Sequence, residues 1–197
     1  MSEPQATYCT RSRLSPQELD RCLATVSLVV FDVDGVLTDG RIGYVGAERV
    51  LFFHTHDGHG IRTLIETGAV MVAWCTMNRT MSIRDEARAL KVTFLMQNCD
   101  GQDGRPTKKA AVEQTGIPWD KIVFMGDDLI DLPCMQLAAV AAAPANARPE
   151  ILAASDWVSL KSGGQGAARD LTDLILHAKG YGGYMNPELG MVEWRLA

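Results

Sequence analysis

The chain has 197 residues, enough to bury one core, and 47% hydrophobic with 22% charged residues is the composition of an ordinary globular domain. A net charge of -5 argues against a nucleic-acid partner, since phosphate backbones reward a basic face. Phosphate chemistry survives that argument, because a bound cation reverses the local field of an acidic site.

Residues 14–26 read as an amphipathic helix with Ser15 as N-cap and Pro16 in the first turn, ending an N-terminal helical extension over residues 1–26. Residues 27–31 form an apolar, β-branched run with the pattern of a buried parallel strand, and it stops at Asp32. Residues 41–53 predict a hairpin with arms at 42–45 and 49–53. Asp57 is expected to cap a helix that Gly68 closes, followed by a strand over 70–75 and a helix over 82–90. A third strand is predicted over 92–96, a helix from Lys108 to the turn at Gly116, and a fourth strand over 122–125 that ends at Asp127 and Asp128. A helix over 134–137, short strands over 138–142 and 156–159, and a last helix over 166–178 complete the pattern. Strands alternating with helices predict an α/β fold over residues 27–179, a Rossmann-like parallel sheet with helices on both faces. The tail, residues 180–197, carries Tyr181, Tyr184, Met185, Met191 and Trp194 and is apolar enough to predict docking on this or a neighbouring domain.

The five cysteines, Cys9, Cys22, Cys75, Cys99 and Cys134, show no CxxC pair, which predicts reduced packing thiols. No apolar leader and no run long enough for a bilayer is apparent, so the expectation is a cytoplasmic protein without membrane contact.

In such sheets ligands bind beyond the carboxyl ends of the strands, and two acidic clusters fall there. Asp32 and Asp34 stand two apart as the first strand runs out, with Gly35 permitting a sharp turn; Asp127, Asp128 and Asp131 follow the fourth. Crowded carboxylates need a compensating cation, and a hard oxygen-seeking ion such as magnesium meets that need. A single pair of loop aspartates would read as caps and turns; two acidic strand ends point to a metal site.

Residues 31–40 together with residues 126–131 resemble the haloacid dehalogenase superfamily of aspartate-nucleophile phosphatases. Residues 57–62 and 162–167 are similar to its 3-deoxy-D-manno-octulosonate 8-phosphate phosphatase group and the related nonulosonate 9-phosphate phosphatases. The resemblance implies Asp32 as the nucleophile that forms an aspartyl-phosphate and Asp34 as the general acid and then base. It implies magnesium held by Asp32, the backbone carbonyl of Asp34, and Asp127, with Asp128 and Asp131 orienting these ligands. Thr76 and Lys108 would bind the phosphate, Lys108 being preferred to its neighbour Lys109. The family usually follows the hydroxyl residue with Gly-Arg; here Met77 and Asn78 intervene before Arg79, so either Asn78 or Arg79 takes the arginine's place. The substrate implied is a sugar-acid phosphate, 3-deoxy-D-manno-octulosonate 8-phosphate first and a nonulosonate 9-phosphate or another sugar phosphate second. A hairpin replaces the large cap domain, and relatives of that kind form homotetramers.

His54, His56 and His59 invite a transition-metal reading, but histidines on a hairpin exit and helix start more often line a rim. The glycines from Gly163 to Gly166 lack a P-loop's lysine and are expected to form a flexible approach to the pocket near Arg169. A phosphorylation-sensing receiver module is the competing reading from another class; a phosphomutase is disfavoured for want of a cap.

Overall fold

The structure is a computed structural model that describes residues 13–186 and 191–196, the side chains of residues 184–186 and 191–194 excepted. The expectations for Cys9 and for the side chains of Tyr184, Met185, Met191 and Trp194 lie outside what is described.

Six parallel strands form the central sheet, in the order β5-β4-β1-β6-β7-β8. They are β1 (Leu28–Phe31), β4 (Met71–Cys75), β5 (Phe94–Met96), β6 (Ile122–Met125), β7 (Val140–Ala143) and β8 (Trp157–Val158). Leu28 pairs with Met71 on one side and Ile122 on the other, and Phe31 with Trp74 and Met125, so β1 and β6 are the two middle strands. The side chains of β1 alternate between two cores. Val29 and Phe31 pack with α1 (Pro16–Thr25), α2 (Thr55–Thr67), α3 (Met81–Leu90) and α7 (Ala167–Ala178), through Leu23, Leu64, Ile83 and Leu171. Leu28 and Val30 pack with α4 (Lys108–Glu113), α5 (Leu132–Met135) and α6 (Pro149–Ala154), through Val112, Met135 and Ile151. Burial on both faces is why β1 reads as an unbroken apolar run. Cys75, Cys99 and Cys134 are buried free thiols within this packing.

Several boundaries differ from expectation for local reasons. Val92 lies in the turn that closes α3, not in β5: Lys91 takes the left-handed conformation at φ 61, and Val92 N–H returns to the Ala87 carbonyl at 2.9 Å. The hairpin arms β2 (Gly43–Val45) and β3 (Glu48–Val50) are shorter than predicted, because Leu51 and Phe53 turn in against the core. The helix α6 is an addition to the predicted pattern, with Pro149 supplying its first-turn signal. The tail forms an antiparallel hairpin of β9 (Tyr181–Asn186) and β10 (Met191–Leu196). It lies against α7 and α2, where the Tyr181 hydroxyl donates to the Thr67 carbonyl at 3.1 Å. Among the described residues no helix is long and apolar enough to cross a membrane.

Candidate active site

The chain fills the sheet to one side of β1 with β4 and β5, then crosses to the other side with β6. That reversal opens a crevice at the carboxyl ends of β1 and β6. Asp32 follows β1 directly, and its N–H extends the ladder to the Met125 carbonyl at 2.9 Å. The chain then coils tightly, with the Val33 carbonyl accepting from the N–H groups of Leu37 and Thr38, both at 3.0 Å. Gly35 sits at φ 91, and a Cβ there would lie 2.1 Å from Asp127 Oδ2. Only glycine lets the two acidic loops meet.

Asp32, Lys108 and Asp131 form the buried floor. Lys108 opens α4 behind the Thr107 cap and is 3% exposed; its Nζ lies 2.6 Å from Asp32 Oδ1 and 2.7 Å from Asp131 Oδ1. Asp131 Oδ2 accepts from the N–H groups of Asp127 at 3.1 Å and Asp128 at 3.3 Å, tying the lysine to the turn after β6. Burial pushes the Lys108 ammonium toward neutrality, but Asp32 and Asp131 outweigh it and hold the proton above the ordinary lysine value. Burial raises the Asp32 carboxyl well above its usual range, with Lys108 pulling against it and Asp131 adding to it. Burial and then Asp131 push Asp127 up to about 6. Lys109 lies outside this floor, exposed and paired with Glu113.

The carboxylates of Asp32, Asp127 and Asp131 offer oxygens within 4.8 Å of one another, the arrangement a hard divalent cation takes. Asp127 Oδ1 is buried without a hydrogen-bond partner, a cost that a bound cation would remove. The donor set fits magnesium. Asp128 differs from expectation: its side chain is 61% exposed, accepts the Leu129 N–H at 2.7 Å and lies 3.7 Å from Arg148 Nε.

The second wall comes from the loop after β4 and from the hairpin. Thr76 is buried, its hydroxyl accepting the Asn78 N–H at 3.0 Å and lying 3.4 Å from Asp34 Oδ2. Asn78 Nδ2 donates to both oxygens of Asp34 at 3.1 Å, whereas Arg79 is exposed. Arg49 of β3 reaches in and places Nη2 2.9 Å from Asp34 Oδ1. Sequence reasoning missed Arg49, because an arginine in a short hairpin arm carries no signal of which carboxylate it meets.

Other expectations resolve into packing. His54 caps α2, accepting the His56 N–H at 3.3 Å, while His56 and His59 are exposed, and no histidine joins a metal-holding group among the described residues. With His54 as the cap, Asp57 is freed for another helix: buried, it accepts from the N–H groups of Gly166 at 3.2 Å and Arg169 at 2.7 Å, where α7 begins. The loop around Gly163 is clamped to the Asp32 loop and does not form a flexible approach. Asn146 bridges the two, accepting from Gly163 N–H at 2.6 Å and donating to the Gly35 carbonyl at 3.3 Å, and Gly164 N–H meets the Val36 carbonyl at 3.0 Å. Arg169 is committed to Asp173 at 2.7 Å, away from the crevice.

Comparison with known proteins agrees with this geometry. Residues 106–171 match the model of the haloacid dehalogenase-like hydrolases. The 3-deoxy-D-manno-octulosonate 8-phosphate phosphatase of Escherichia coli (strain K12) is 35% identical over 161 residues, 79% of this chain and 81% of that protein. The crystal structure of the same phosphatase from Yersinia pestis superposes with a TM-score of 0.75 at 34% identity, covering 82% of this chain and 86% of that one. The phosphatase from Moraxella catarrhalis, solved with a magnesium ion, a phosphate ion and a KDO molecule, superposes at 0.76 with 28% identity, covering 84% and 94%. The acidic crevice, the parallel sheet and these relatives converge: the chain is a phosphatase and belongs to the 3-deoxy-D-manno-octulosonate 8-phosphate phosphatase family of haloacid dehalogenase-like hydrolases.

Proposed function

We propose that the chain is a magnesium-dependent phosphomonoesterase that hydrolyses a sugar-acid phosphate, 3-deoxy-D-manno-octulosonate 8-phosphate first, through an aspartyl-phosphate on Asp32. The observation that carries this reading is the buried Asp32 carboxylate in contact with Lys108 and grouped with Asp127, whose Oδ1 lacks a partner. Magnesium would be held by Asp32, Asp127 and the Asp34 backbone carbonyl; when bound, it supplies charge to offset the repulsion between carboxylate and phosphate.

The residues then act in order. An oxygen of Asp32 attacks phosphorus, and the bond to the sugar oxygen breaks as Asp34 protonates that oxygen. Lys108 and Thr76 neutralise and bind the phosphoryl oxygens. Asp34, now ionised, takes a proton from water, which attacks phosphorus and returns Asp32 free with inorganic phosphate. Asp131 keeps Lys108 aimed at the reaction.

The identities of the relatives support the eight-carbon substrate. The exposed hairpin residues Ile42, Tyr44, Val45 and Phe52 support a homotetramer in which other copies cover an otherwise open site. A cytoplasmic location is the reading consistent with reduced buried thiols. The test is phosphate release from a panel containing 3-deoxy-D-manno-octulosonate 8-phosphate, a nonulosonate 9-phosphate and common hexose phosphates, with magnesium and with EDTA. Magnesium-dependent turnover preferring the eight-carbon acid is expected. A long-lived phosphoprotein without turnover would favour a receiver instead.

A further inference from the structure

The Asp34 carboxylate is surrounded by donors in an unusual way for a group expected to give up and accept protons. Arg49 Nη2 at 2.9 Å, Asn78 Nδ2 at 3.1 Å and the Thr76 hydroxyl at 3.4 Å reach it from the hairpin and the β4 loop. Donors converging from separate elements on one anion form a cradle, and a carboxylate presents the same oxygen geometry to a guanidinium as a phosphate does. Arg49 Nε is also buried without a partner, so its fork has unspent donor capacity at this place. Arg49 and Asp34 are each 31% exposed, which leaves the pair within reach of a ligand.

We propose that Arg49 and Asn78 complete the phosphate-binding cradle beside Thr76 and Lys108, and that the Asp34 carboxylate occupies their donors until a phosphate displaces it. This deepens the phosphatase reading and rests on it. Charge supports the assignment. Among the described residues, Asp32, Asp34, Asp127 and Asp131 are paired around the crevice with two cationic side chains, Lys108 and Arg49, so an arriving phosphate dianion needs both. The exchange also has a use: Arg49 and Asn78 pass to the phosphoryl oxygens and Asp34 is released to face the leaving oxygen. Arg79, the other candidate for this task, is exposed and is not among the groups that reach Asp34.

The test uses the full chain with magnesium, reading inorganic phosphate as a competitive inhibitor of p-nitrophenyl phosphate hydrolysis and orthovanadate binding by calorimetry. Arg49→Ala and Asn78→Ala should each weaken both anions roughly ten- to hundredfold, the range of a hydrogen bond to a charged group. Arg79→Ala should bind as wild type, and added guanidinium chloride should restore part of the affinity to Arg49→Ala. Wild-type affinity in Arg49→Ala, a loss in Arg79→Ala instead, or a loss in Arg49→Ala that guanidinium leaves untouched would overturn the proposal. Absence of binding and turnover in the wild-type chain would instead sink the phosphatase reading beneath it.

Discussion

At the scale of single residues, Asp32, Asp127 and Asp131 crowd like charges together, and Asp127 shows the consequence for pH. Burial first and Asp131 second push its carboxyl up to about 6, against 3.8 for an unperturbed group. Between those values the folded chain binds more protons than the unfolded one, so this group's contribution to stability falls as pH rises through the window. A cation that replaces the proton reverses the trend. The melting-temperature gain on adding magnesium should therefore grow from pH 5 to pH 7, and apparent magnesium affinity should fall by about tenfold or more per pH unit below 6, because Asp32 in the same group is raised as well. A gain independent of pH would contradict this placement of the ion. The aspartates were legible in the sequence because carboxylates at strand ends carry their meaning in their position. The partners of Asp34 were not, since Arg49 lies 15 residues away on a hairpin whose docking only the fold decides.

At the scale of elements, two contacts fix the segment that runs from Gly163 into α7, and they can be tested separately. Asp57 of α2 satisfies the first N–H groups of α7, and Asp57→Ala leaves Gly166 and Arg169 unpaired. The expected cost is about 1–3 kcal/mol, read as a shift in the denaturation midpoint. No loss of stability would mean water replaces the carboxylate fully. Gly163 has a different task. A Cβ there would stand 1.8 Å from the Gly35 carbonyl oxygen, so Gly163→Ala must displace the loop that carries Asp32 and Asp34. Activity per folded molecule should drop at least about tenfold, the scale expected when reacting groups shift by an ångström; full activity would show that the loops separate without consequence. The strands β1, β4 and β6 were legible because burial on both faces leaves an apolar signature. The roles of Asp57 and the Gly163 loop were not, because each is fixed by a partner more than a hundred residues away in the chain.

For the whole molecule, sheet order brings residues from the first and fourth predicted strands to one crevice, while the hairpin rather than a large insertion stands over it. Phe52 is 77% exposed, Val45 69% and Tyr44 67%, an apolar surface that a homotetramer would bury. Phe52→Asp should lower the mass measured by light scattering in solution, and a wild-type chain that is monomeric at micromolar concentration would refute the assembly. Protein quenched in acid during turnover of 3-deoxy-D-manno-octulosonate 8-phosphate with magnesium should carry a phosphoryl group on the peptide containing Asp32, and Asp32→Asn should abolish both the adduct and phosphate release. Continued phosphate release by Asp32→Asn, with no adduct on the wild-type peptide, would contradict the account.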